Sequence, residues 1–231
     1  MMSDPVAQLR RGGRLAGALY LVVVLSGMFC LAYVPSRTGD TLLEARAQAD
    51  LFGAGTAAFL LMQVAFLLVP LALYRVLADA GREAAVLMVA LAAASVPVGL
   101  VAATHCLEAL ALVQGAATDD TTQAAFSAAM ARYGHGLRIA SLFWGLWLLP
   151  FGMLVLRSGR LPRVLGGLLV LGGLGYVAKV FGGLVPGGLG MPMDSLTLPA
   201  ALGEIGSCLW LLAFGVRTTR PGPVPTAGSG A

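Results

Sequence analysis

The chain has 231 residues, of which 58% are apolar and 11% charged, and its mean hydropathy is +0.85. A water-soluble domain carries about 25% charged residues, so this composition excludes one. Its net charge of +4 rests on fourteen arginines and one lysine, with no asparagine. These cations sit in short segments between apolar runs, which excludes a basic face for nucleic acid and fits topology signals.

In chain order, the first segment, Leu15–Val34, follows Arg10-Arg11-Gly12-Gly13-Arg14. It exceeds the core of a secretory signal, about 7–15 residues, and no Ala-x-Ala site follows it. It is expected to be a retained helix behind a cytoplasmic segment, residues 1–13. A spanning helix needs about 20 apolar residues. Leu51–Tyr74, Ala84–Val113, Leu137–Leu156, Leu161–Val185 and Leu198–Val216 qualify as well. Pro97 supplies a kink in the third segment, because it lacks the N–H for the helix ladder. Asp119–Tyr133 reads as a short interfacial helix ahead of the fourth. The glycines of the fifth, among them Gly166, Gly172, Gly173 and Gly175, would allow close backbone approach and a central position. The tail from Thr218 is expected to be disordered. The fold class is therefore all-α: a polytopic bundle of six spanning helices over residues 14–217. A 3+3 inverted repeat is arithmetically possible, but Cys106-Leu107 and Cys208-Leu209 are too slight a match to support it.

With the N-terminus inside, ten arginines fall on the inner side and four, Arg37, Arg46, Arg132 and Arg138, on the outer. By the positive-inside rule both termini are expected to be cytoplasmic, and the membrane is expected to be of the bacterial inner type.

Cys30, Cys106 and Cys208 lie within apolar runs at no metal-ligand spacing and read as inert buried thiols. Gly173-Leu174-Gly175-Tyr176-Val177-Ala178 matches a dinucleotide fingerprint, yet no strand precedes it, so the match is accidental. The informative residues are the polar ones inside the apolar runs, since a charge at the bilayer centre costs about 2.5–3.5 kcal/mol. These are His105, Glu108, Lys179 and Glu204, with His135 and Arg138 at the mouth of the fourth segment and Gln63 mid-membrane. At about 1.5 Å per residue, the ionisable ones collect in the outer third of the membrane. His105 and Glu108 share a helix face, as do Glu204, Ser207 and Cys208.

Lys179 is expected to pair with Glu204 or Glu108. The charges would then either fix helix order or line an outward-facing pocket among the third to sixth helices. That pocket would be formed by Glu204, Lys179, Glu108, His105, Arg138, His135, Tyr176 and Ser207. Its ligand would be a small polar molecule or a lipid headgroup, with the bilayer as the general partner. No cofactor or metal is expected. A histidine-ligated haem is disfavoured, because His135 sits in a Tyr-Gly-His-Gly turn. A proton relay through His105, Glu108 and Glu204 is possible. No nucleophile–base pair stands out, so the reading leans away from an enzyme, towards a binding or transport module or a non-catalytic scaffold.

Several strings carry a resemblance: Arg14-Leu15-Ala16-Gly17-Ala18-Leu19-Tyr20, Leu73-Tyr74, and Ser158-Gly159-Arg160-Leu161-Pro162-Arg163-Val164-Leu165-Gly166. Gly173-Leu174-Gly175-Tyr176 and Leu198-Pro199-Ala200-Ala201-Leu202-Gly203-Glu204 complete the set. From Arg14 to Val216 the chain resembles the bacterial membrane family known as domain of unknown function 4386. That resemblance implies a multi-helix inner-membrane protein with no established activity, and Tyr176 and Glu204 fall within its strings.

Overall fold

The computed structural model describes residues 5–185 and 195–217. The expected disordered tail and most of the connection before Thr197 lie outside the described residues. Among those described, every regular element is helical. They are α1 (Pro5–Met28), α2 (Pro35–Thr38), α3 (Leu42–Ala47), α4 (Ala49–Leu77), α5 (Arg82–Gln114), α6 (Asp120–Ser158), α7 (Arg163–Gly182) and α8 (Leu198–Phe214). Six helical stretches, containing α1, α4, α5, α6, α7 and α8, are long and apolar enough to cross a membrane. The chain is thus a multi-pass membrane protein.

Local chemistry sets the ends. Pro5 opens α1, where its missing N–H costs nothing. Further on, Pro35 cannot donate to the carbonyl of Leu31, and a π turn, Phe29–Tyr33, takes up the break. Val34 N–H reaches back five residues to Phe29 O at 2.9 Å. Thr41 and Glu44 form a reciprocal capping box on α3. Gly159, at φ +62°, ends α6 in the left-handed region that glycine adopts at little cost. Pro70, Pro97 and Pro150 all lie inside continuous helices.

The Asp119–Tyr133 stretch is not a separate interfacial helix. Asp119 Oδ1 accepts the Thr122 N–H at 2.8 Å, and from there α6 runs unbroken for 39 residues. That is about 58 Å at 1.5 Å per residue, well beyond a hydrocarbon core of about 30 Å. The overhang rests on a small apolar cluster with Leu42, Phe52, Ala109, Val113, Phe126 and Ala129. Gln123 Oε1 accepts the Leu42 N–H at 2.9 Å, and Arg46 donates to the carbonyls of Leu112, Val113 and Ala117, closing the end of α5. His135 and Gly136 are therefore helical rather than in a turn.

The six long helices pack as a ring in chain order, each on the next, and α8 closes the ring against α1. The fifth span, α7, occupies one place between α6 and α8 and is not central, which corrects the expectation drawn from its glycines. Those glycines do serve close approach. Gly145 faces Gly173 and Gly152 faces Gly166, an antiparallel register in which an added Cβ would lie 2.7–2.9 Å from the opposing carbonyl oxygen. At the closure, a Cβ on Gly17 would lie 2.7 Å from Leu212 N. Inside the ring, Trp147 stacks on Phe151 at 5.4 Å and meets Phe66 edge-on at 5.2 Å, with Tyr20 tilted against both rings of the stack. Such pairs contribute about 0.5–1.5 kcal/mol each beyond burial. Outward faces are aliphatic, as at Val101 (63% exposed) and Leu202 (62%), and suit lipid. The three cysteines are buried free thiols, as expected.

Candidate functional site

A half-open cavity of about 260 Å³ lies between α1, α4, α6, α7 and α8. Its polar floor forms where α1 and α8 meet: Tyr20 Oη donates to Glu204 Oε1 at 2.9 Å. Gly13, Gly17 and Tyr20 fall at i, i+4 and i+7 on one face of α1. The two glycines admit Gly215 and Leu211, and Cys208 Sγ lies 3.6 Å from Gly17 O. This close seam brings a tyrosine to a carboxylate 184 residues away. Aromatic rings of Phe66, Trp144 and Tyr176 form part of the wall, and Val24, Met28, Leu31, Met62 and Ile205 make the rest apolar. The π turn of α1 runs along this wall at Leu31. Among the described residues Glu204 Oε2 accepts no hydrogen bond, although a carboxylate can accept at both oxygens. The arrangement can hold a small molecule with an apolar or aromatic body and one donor or cationic end.

Of the eight candidate residues, Glu204 and Tyr176 line this cavity. The other six do not. His105 and Glu108 lie on α5, where Glu108 pairs with Arg132 of α6 at 2.9 Å and with His105 Nδ1 at 3.2 Å. Arg132 Nε also lies 3.4 Å from His105 Nδ1. Glu108 and Arg132 are each about half exposed, at 50% and 51%. His135 and Arg138 are exposed on α6. Lys179 is half-buried in the last turn of α7, one turn beyond Tyr176. The carboxylates thus take Tyr20 and the His105–Arg132 pair as partners, and the expected pairing of Lys179 with Glu204 or Glu108 does not form. Ser207 is buried on α8 with its hydroxyl unpartnered, and Gln63 is fully buried against Gly99 with both amide atoms unpartnered.

Sequence reasoning missed Tyr20, Trp144 and Phe66. The signal for Tyr20 was the Gly13, Gly17, Tyr20 spacing, which marks a face built for close contact. Trp144 and Phe66 carried none beyond apolar periodicity. A second ionic tie, also unforeseen, fastens the α6–α7 turn: Arg160 donates to Asp79 and to the Val76 carbonyl. Among the described residues, His, Cys, Asp and Glu nowhere gather in a group that could hold a metal ion.

Compared with known proteins, residues 15–215 match the family model described as Domain of unknown function (DUF4386). No curated protein and no solved structure matches the chain.

Proposed function

Because the chain belongs to the DUF4386 family, whose description assigns no activity, we propose a function from its own side chains: a membrane binding module. Its site is the ring cavity, and its ligand is a small amphipathic amine or comparable donor. The observation that carries this is Glu204, whose only hydrogen-bond partner among the described residues is Tyr20, set in an otherwise apolar and aromatic cavity. An apolar pocket with few convergent polar groups is the usual form of a small-molecule site. Rings such as Trp144 and Tyr176 also attract cations. We further infer a bacterial inner membrane with both termini cytoplasmic, on the ten-to-four distribution of arginine.

A non-catalytic scaffold is the second reading. It is favoured by Glu108, whose half-exposed tie to the neighbouring helix needs no ligand. Thermal unfolding of the purified protein separates the two. Hexylammonium at about 100 times its Kd should stabilise the wild type by about 2.7 kcal/mol, a rise of roughly 5–10 °C for a chain of this size. Glu204→Gln should remove that rise while unfolding near the wild-type temperature without ligand. If hexanoate stabilises equally, or Glu204→Gln keeps the full rise, the cavity is not the site proposed.

A further inference from the structure

A second cleft, of about 390 Å³, lies where the start of α1 meets the end of α8. Arg10, Arg14, Trp210 and Arg217 line it, together with the apolar Ala213, Phe214 and Val216. Two of the cations are held in place. Arg217 N–H donates to Arg160 O at 2.9 Å, which fixes its backbone to the α6–α7 turn, and its guanidinium lies 4.7 Å over the Trp210 ring. Trp210 is braced by Phe214 at 4.6 Å, and Arg14 Nη2 lies 3.5 Å from Ala213 O. No carboxylate lines the cleft, and none of its arginines is in an ion pair among the described residues. Elsewhere Arg132 and Arg160 each have an acidic partner. With no acidic partner among the described residues, three guanidiniums around one cleft repel one another, and a shared anion would relieve that.

We propose that this cleft binds the phosphate of an anionic phospholipid, with the Arg10, Arg14 and Arg217 guanidiniums as donors and the Trp210–Phe214 edge against the first acyl carbons. Guanidinium forks suit phosphate oxygens. Basic pockets between spanning helices beside a tryptophan belt match the depth of lipid headgroups. A free phosphate offers the same oxygens without the acyl chains, and the apolar edge of the cleft favours the lipid.

The test uses the full-length protein, purified in a non-ionic detergent, with phosphatidylglycerol, phosphatidylcholine and inorganic phosphate as probes. Bound lipid is counted by native mass spectrometry. Phosphatidylglycerol should be retained over phosphatidylcholine. Each arginine changed to Gln should weaken it roughly five-fold, from about 1 kcal/mol per arginine. The exposed trio Arg82, Arg157 and Arg163, changed together to Gln, should leave retention unaltered. Arg→Lys changes at the three cleft positions should retain part of the preference, which separates lost binding from lost folding. Equal retention of both lipids by the wild type overturns the proposal without any variant. So does an equal loss in the Arg82, Arg157 and Arg163 variant. Complete displacement of phosphatidylglycerol by inorganic phosphate at the same concentration overturns the choice of a lipid.

Discussion

Two glutamates within apolar helices meet different fates. Glu204 lies on the inside of the ring and is held by a neutral tyrosine hydroxyl, in a cavity whose other walls are apolar. Glu108 lies half exposed on α5 and is met by Arg132 and His105. The difference teaches that an embedded carboxylate is not by itself a site. A cation within reach satisfies it, whereas a single neutral donor beside empty space leaves acceptor capacity for a ligand.

Breaking the interior arrangement should cost most. Trp147→Ala removes the ring that supports Tyr20, Phe66 and Phe151 at once. It should cost about 3–5 kcal/mol in thermal unfolding, and no residue of the Glu108 cluster should approach that. Next comes Tyr20→Phe, which deletes the donor to Glu204 and keeps the ring. Leaving a partly buried acceptor unmet should cost about 1–3 kcal/mol. Arg132→Gln attacks the other carboxylate, and losing its exposed pair should lower the unfolding temperature less than Tyr20→Phe does, by an amount that shrinks with added salt. A larger cost than that of Tyr20→Phe would reverse the comparison.

The smallest effect lies outside the membrane. Hydrogen bonds from the Thr41 hydroxyl and backbone N–H hold the Glu44 carboxyl below its usual range, and the Thr122 N–H and hydroxyl do the same for Asp119. A depressed value stabilises the folded state fully above the unfolded value, and that contribution is lost as pH falls through the folded one. Acidification should therefore speed hydrogen exchange at the starts of α3 and α6 below the ordinary carboxylate range. The ring itself should stay protected.

Much of this architecture is legible along the chain. Apolar length is a local property, so six spans appear without knowledge of their neighbours, and Gly159 marks its helix end by its own conformational freedom. The glycines of α7 announce close contact but not with whom, and a ring closed by α1 and α8 has no centre for a helix to occupy. Gly134 and Gly136 look like helix breakers, yet Gly136 stays helical, and a Cβ there would lie 2.6 Å from that of Ala102. The partner of Glu204 was the hardest to foresee, because pairing by charge points to Lys179, while the register of the α1–α8 seam delivers Tyr20.

The central claim is that Glu204 faces a space a ligand can enter and Glu108 does not. Labelling with dicyclohexylcarbodiimide, an apolar reagent for embedded carboxyl groups, reads both residues in one digest by mass spectrometry. Hexylammonium should protect Glu204 from the reagent in proportion to its concentration and leave the labelling of Glu108 unchanged. Protection of neither residue, or of both alike, would contradict the account.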